Sequence, residues 1–315
     1  MQSESTASAI GEIKRVGPET LPQYVELWNR FWPDLSISTE LMEYDDRELP
    51  EPHRERRYMA WQDGRPIAYA YTQTQLGAPD GNWHLSVGVS EDCRNKGLGS
   101  LLLKTIEEEM QARKVTKSFT QVRESDSATL AFANSRGFFE ERRDFFSVLD
   151  IQAFDKPMGQ PTGIEFATAA QLDSDAFRRA FHAVFEEIRL DVPRATEPEP
   201  FTFDDFQTIF FGDPNLLPDG TMVATHNGEF VGFSVAFNNA RDGFIDQGLT
   251  GVKRTHRGRG IAQALKTRLI HWAKNQGHRQ IQADNDSRNA AMLAVNESLG
   301  FVRQEALIYM GKSYS

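Results

Sequence analysis

Apolar residues recur at four-residue intervals in two places, Leu98, Leu102 and Ile106, then Ile261, Leu265 and Leu269. That spacing lays each set along one face and predicts two amphipathic helices leaning on a core. An apolar-rich run of strand length precedes each helix, Leu85 to Val89 and Leu249 to Val252. Farther upstream, Asp63-Gly64 and Asn227-Gly228 sit between strand-like runs, as two-residue hairpin turns do. Opening strands are expected at Ile13 to Val16 and Ile164 to Ala167, and later strands at Ser118 to Val122 and Ile281 to Asp284. A short helix, a Gly-Phe pair and a final hairpin of strands complete each set.

The same order of elements therefore runs twice, and the spacing is conserved between the copies. Arg94-Asn95-Lys96-Gly97-Leu98-Gly99 recurs as Arg257-Gly258-Arg259-Gly260-Ile261-Ala262, an offset of 163 residues, and Gly137-Phe138 recurs as Gly300-Phe301 at the same offset. Two domains of α+β type follow, in keeping with 315 residues. The expected boundaries are a loose terminus over 1–11, a first domain over 12–150, a linker over 151–162 containing Pro157, Gly159 and Pro161, and a second domain over 163–315. The second copy carries extra length around Asp191 to Pro218, where five prolines predict an irregular loop able to cover a cleft.

Charge and composition narrow the function classes. A formal net charge of -10 argues against nucleic acid as partner. Nowhere do eighteen apolar residues run together, which argues against a membrane span, and no signal peptide opens the chain. The single cysteine, Cys93, excludes an internal disulfide and makes the cytoplasm the expected location. The seven histidines lack ligand spacing, so no metal is expected. Cys93 has no assignable base beside it and reads as a small hydrophobe rather than a nucleophile.

A strand that runs into Arg-x-x-Gly-x-Gly/Ala and then a helix suits phosphate. Small residues let backbone approach a ligand, and the first helical turn offers free N–H groups and the positive end of the dipole. Around the second loop Lys253, Arg254, His256, Arg257, Arg259, Lys266 and Arg268 form a basic cluster. Neither loop matches a P-loop, and neither has the third glycine of a dinucleotide fingerprint.

These motifs resemble the GNAT superfamily of acyl-CoA N-acyltransferases, whose pattern is Arg/Gln-x-x-Gly-x-Gly/Ala after a strand and a later Gly-Phe. Tandem members of the mycothiol-synthase-like kind are the nearer likeness. The resemblance implies two GNAT folds in tandem, each a mixed, mostly antiparallel twisted sheet flanked by helices, with acetyl-CoA or another short acyl-CoA as cofactor. It implies that backbone N–H groups of Arg257, Gly258, Arg259, Gly260, Ile261 and Ala262, and of Arg94, Asn95, Lys96, Gly97, Leu98 and Gly99, hold the pyrophosphate. Leu249, Thr250, Gly251 and Val252, with Val87, Gly88 and Val89 in the first copy, would pair with the pantetheine arm.

The chemistry is expected mainly in the second copy. Family members commonly place an acidic base eleven residues before the loop arginine; that position is Asp246 in the second copy and Trp83 in the first. The family's acidic tyrosine, four residues before the Gly of Gly-Phe, is replaced by Asn296 and Ala133, which leaves Tyr309, water or nothing as the acid. Asn289 and Asn296 fit either helix capping and local bonding or contact with the cofactor. The expected activity is acetyl-CoA-dependent N-acetylation of a small amine by a monomer or homodimer, the first copy being degenerate or structural. The competing expectation is a non-catalytic acyl-CoA-binding regulatory module.

Overall fold

The computed structural model describes residues 12–51, 53–193 and 198–314. The expected loose terminus over 1–11 lies outside the described residues. In the first half, β1 (Glu12–Arg15), α1 (Leu21–Phe31), α2 (Thr39–Glu48), β2 (Arg56–Gln62), β3 (Arg65–Gln73) and β4 (Asn82–Val89) lead into α3 (Leu98–Ala112), β5 (Lys117–Arg123), α4 (Ser127–Asn134) and β6 (Phe139–Asp150). The second half repeats the order with β7 (Ile164–Thr168), α5 (Ala169–Leu172), α6 (Asp175–Arg189), α7 (Phe203–Phe206), β8 (Met222–His226), β9 (Glu229–Asn238), β10 (Phe244–Val252), α8 (Ile261–Asn275), β11 (Gln280–Asp286), α9 (Ala290–Leu299) and β12 (Val302–Ser313). Both predicted hairpin turns form, with positive φ at Asp63 and Gly64 and at Asn227 and Gly228, the conformation a twisted two-residue turn requires.

Two compact units divide the chain. One takes the residues up to Gln75, Asp80–Thr120 and Ser313–Ser315, and the other takes Leu76–Pro79 and Gln121–Lys312. In the first unit the strands run β1-β2-β3-β4-β5, antiparallel except for the parallel β4–β5 pair. Tyr24 and Leu27 of α1 and Met42 of α2 pack on Met59 and Tyr69 to form its core on one face. In the second unit the order is β12-β6-β11-β10-β9-β8-β7, with β10 and β11 parallel. Ile261, Leu265, Leu269 and Ile270 of α8 bury one face of that sheet. Phe181 and Val184 of α6, with Phe206 and Phe210, bury the other.

Four expectations meet a different arrangement in the structure. No final hairpin closes either copy; each ends in one twelve-residue strand, β6 or β12, and these pair antiparallel with each other. Because β6 also pairs with β11, residues 121–150 belong to the second unit, and the expected boundary at 150 does not coincide with the division of contacts. The expected linker over 151–162 is held against α8: Ile151 and Phe154 are buried, Lys274 Nζ donates to the Phe154 carbonyl at 2.8 Å, and Arg268 Nη1 donates to that of Gly159 at 2.7 Å. Where an irregular loop was expected, Phe203 to Phe211 forms α7 and a π-helical turn, since its phenylalanines pack on Phe181 and Phe185. Residues 194–197 of that stretch lie outside the described residues.

Candidate active site

Both glycine loops take the shape expected of an anion cradle. A 3-10 turn, Glu91–Cys93 or Arg254–His256, follows the strand, and Gly97 or Gly260 then caps the helix with φ of 86° or 75°. Asn95 and Gly258 hold the same left-handed conformation at matching positions. A Cβ added at Gly97, Gly258 or Gly260 would meet nothing within 4 Å. These glycines therefore answer to backbone conformation and an open face, which leaves the first helical turn free to meet a pyrophosphate.

Side-chain charge contributes less than the sequence implied. Arg257 Nε donates to the Val252 carbonyl at 2.9 Å, and Arg94 makes the same bond to Val89 at 3.1 Å, so the loop arginine ties strand to loop in both copies. Arg254 and Arg257 also converge on Asp191, whose carboxylate is held down to about 2 by those guanidiniums. Lys253 pairs with Glu229, Arg259 donates to the Thr162 carbonyl, and Lys266 is buried. The basic cluster is thus largely engaged by protein. Cys93 is buried, with its thiol 3.8 Å from Gln62 Oε1.

A splayed strand lies above each loop. β10 pairs with β11 only from Phe244 to Gln247, and β4 with β5 only from Asn82 to His84, although both continue along their other neighbour. Val87, Gly88 and Val89, like Leu249, Thr250, Gly251 and Val252, lie beyond the fork, where backbone could meet an extended ligand. Beyond that point the copies differ. β4 pairs with β3 in unbroken register from Ala68↔Val89 to Gln73↔His84. On β10 the register slips between Gln247 and Thr250, three residues facing the two-residue step from Ala236 to Ser234 on β9.

This bulge re-aims the residues upstream of it. Asp246 pairs with Phe237, whose ring packs among the phenylalanines of the α6 face. Trp83, its counterpart, sits on the α3 face, buried under the guanidiniums of Arg56 and Arg113 at 5.4 and 5.9 Å. Asn239 Nδ2 donates to Asp246 Oδ2 at 2.8 Å and Gln282 Nε2 to Oδ1 at 3.3 Å, while Arg241 supports both amides. Loss of hydration pushes the Asp246 carboxyl up to about 6, against the opposing pull of Asn239 and Arg241. A carboxylate near that value serves as a base at neutral pH.

The sheet face that carries Asp246 is acidic. Asp284 on β11 stays accessible to solvent but is walled by protein; loss of hydration and then the Asp144 charge push it up to about 7. Asp144 on β6, 3% exposed, is pushed up to about 6 by burial, with Arg142 opposing. Asp286 is lowered by Arg288 despite burial. Tyr309 belongs to this cluster, under the Arg142 guanidinium at 3.8 Å, its hydroxyl raised by burial and by Asp284. The register of β10, β11, β6 and β12 sets Tyr309 three strands and six residues from Asp246, about 14 Å across and about 20 Å along the sheet. The two expected catalytic residues are therefore not brought together. Among the described residues no group of side chains is arranged to hold a metal, and no helix is long and apolar enough to cross a membrane.

Asn289 caps α9 by accepting from the Met292 N–H at 3.3 Å, and Asp126 does the same for α4. Asn296 is 1% exposed; its Nδ2 donates to Asn285 at 2.6 Å, while its Oδ1 is buried without a hydrogen-bond partner. Gln282, Asn239, Asp284 and Asp144 were not singled out from the sequence. For Asp284 a signal existed, since its counterpart at the 163-residue offset is Gln121. Asp144 had none, because it comes from the last strand of the other copy.

Known proteins resemble this chain in sequence and fold. The Acetyltransferase (GNAT) family matches residues 21–138 and 181–301. A mycothiol acetyltransferase of Amycolatopsis mediterranei is 26% identical over 275 residues, covering 79% of this chain and 82% of that protein. The [ribosomal protein bS18]-alanine N-acetyltransferase of Escherichia coli is 33% identical over 91 residues, 28% of this chain and 60% of its own length. Among solved structures, a tandem GNAT protein from the clavulanic acid biosynthesis pathway aligns over 96% of this chain and 98% of its own, with TM-score 0.77 and 20% identity. A GCN5-related N-acetyltransferase from Sphaerobacter thermophilus aligns over 96% and 95%, with TM-score 0.75 and 22% identity. Since the family matches both halves, over roughly three-quarters of the chain and across both glycine loops and both splayed strands, the chain belongs to the GNAT acetyltransferase family as a tandem of two such folds.

Proposed function

We propose that the second copy catalyses acetyl-CoA-dependent N-acetylation of a small amine and that the first copy is structural. One contrast carries this reading: at matched positions the second copy turns a carboxyl near pKa 6 onto an acidic face, and the first buries Trp83 under two arginines. Acetyl-CoA supplies an activated acetyl thioester. The open turn at Gly258 and Gly260 and the unpaired edge of β10 beyond Gln247 suit its pyrophosphate and pantetheine. Asp246 accepts the proton that the acceptor ammonium must shed before its nitrogen can attack. Asp284 and Asp144 make that face attractive to a cationic amine. Neither Asn296 nor Asn289 can deliver a proton, and Tyr309 belongs to the acidic cluster rather than to the reacting end, so solvent protonates the leaving thiolate.

The test is a panel of small amines assayed by release of free thiol, with calorimetric binding of acetyl-CoA alongside. Asp246→Asn is expected to lose about 100-fold or more in turnover while binding acetyl-CoA as before. Undiminished turnover would remove Asp246 from the mechanism. Tight binding without transfer to any amine would favour the regulatory-module reading.

A further inference from the structure

Among the described residues, Lys266 is the one buried lysine, and the proposed reaction leaves it without a task. It lies on α8 at 2% exposure, and burial alone lowers its pKa, with no carboxylate contributing. Its Nζ donates to Gln247 Oε1, and the Phe301 ring lies 5.2 Å away. Gln247 Nε2 donates to Ser234 Oγ at 2.9 Å, and Ser234 shares a hydrogen bond with Thr250 Oγ1 at 2.7 Å. All four residues are buried.

The two ends of this chain on β10 bracket the bulge. Gln247 and Thr250 are three residues apart, so in a regular strand they would face opposite ways. Both face α8 here, because the bulge lies between them, and the chain through Ser234 can close only in that geometry. The first copy has neither feature: β4 is unbulged, and Leu103, His84, Ala70 and Val87 stand in place of Lys266, Gln247, Ser234 and Thr250. A buried amine without a countercharge is costly to fold around, and an apolar side chain fills the same place in the sister copy.

We propose that Lys266 is a positioning residue that acts through Gln247 to pin the β10 bulge, and so holds Asp246 on the acidic face. The proposal rests on the reading of Asp246 as base for its consequence in catalysis, but its structural core needs no ligand. Hydrogen exchange on the ligand-free full chain reads it directly. In Lys266→Met the amides of Gly248, Leu249, Thr250 and Gly251 should exchange at least tenfold faster, while the melting temperature does not fall. Gln247→Leu should do the same to those amides, and the double variant should add nothing, since both act on one contact. In the amine assay Lys266→Met should lose at least tenfold in kcat.

Unchanged exchange in Lys266→Met would overturn the proposal. So would failure of that variant to fold or a lower melting temperature, either of which would make Lys266 a prop of the core, and so would independent, multiplying effects in the double variant. If the wild-type chain acetylates no amine, the reading of Asp246 fails and the exchange result alone decides the role of Lys266.

Discussion

Replacing Lys266 by Met should stabilise the protein at neutral pH, and the size and pH dependence of that gain follow from burial. The ammonium falls from 10.5 to about 7 on folding. At about 1.4 kcal/mol for each tenfold change in proton affinity, carrying lysine into this site costs about 4–5 kcal/mol at pH 7. Methionine has nearly the same volume and no charge to desolvate, but it leaves Gln247 Oε1 without its donor, which costs about 1–3 kcal/mol. The net gain is about 1–4 kcal/mol at pH 7. The sign in pH follows from a depressed folded-state pKa: the unfolded chain keeps the proton up to 10.5 and the folded chain releases it near 7, so the wild type gains stability as pH rises between them. The advantage of methionine should therefore shrink by about 1.4 kcal/mol per pH unit and reverse between about pH 8 and 10. Urea unfolding of both proteins by circular dichroism at intervals from pH 6.5 to 10 measures the difference. A difference that stays constant with pH would refute a neutral buried amine, whatever its sign.

Other consequences are accessible to simpler assays. The kcat/KM profile should show an acid limb near pH 6, because Asp246 must be ionised to take a proton and its carboxyl is raised; a limb near 4 would point to a solvated carboxylate. Gly260→Asp should abolish acetyl-CoA binding at the second site, through a strained φ of 75° and a negative charge at the helix start, while Gly97→Asp leaves turnover nearly intact; equal losses would contradict the division of labour. Asp191→Ala frees Arg254 and Arg257 and should tighten acetyl-CoA binding while steepening its salt dependence, as seen by calorimetry at two ionic strengths. Trp83→Ala empties a large buried site and should cost about 3–5 kcal/mol in urea unfolding, with turnover per folded molecule little changed.

Local patterns made most of the fold legible. Four-residue spacing located α3 and α8, turn dipeptides located the two hairpins, and the constant offset of 163 residues tied the copies together. What stayed hidden was non-local. Nothing near Phe139–Asp150 tells that β6 pairs with β11 and β12, so the expected boundary followed sequence order, whereas the contacts followed strand pairing. The basic cluster misled for a related reason: charges adjacent in sequence reach different partners, and Lys266, next to Leu265 on a buried face, points inward. Comparison of the copies could have exposed it, because Leu103 occupies the same helical position.

The bulge separates two copies with the same loops and the same fork, and the proposed division of chemistry rests on it. Without it, the residue eleven before the loop arginine faces the helix behind the sheet, and there a tryptophan can be buried and contribute to the core, as Trp83 does. With it, the same position turns to the other face, where the Asp246 carboxyl is half-buried against Asn239 and Gln282. Changing Trp83 to aspartate alone would put the carboxyl on the α3 face beside Arg56 and Arg113 rather than on the face that carries Asp246. On the proposed reading, giving the first copy a carboxyl like Asp246 would also require the bulge, and with it the polar set that closes around it. On the proposed reading, stability and catalysis draw on different residues at the same positions: Leu103 and Ala70 pack an ordinary core in one copy, with Val87 half-buried beside them, and Lys266, Thr250 and Ser234 hold a costlier geometry in the other.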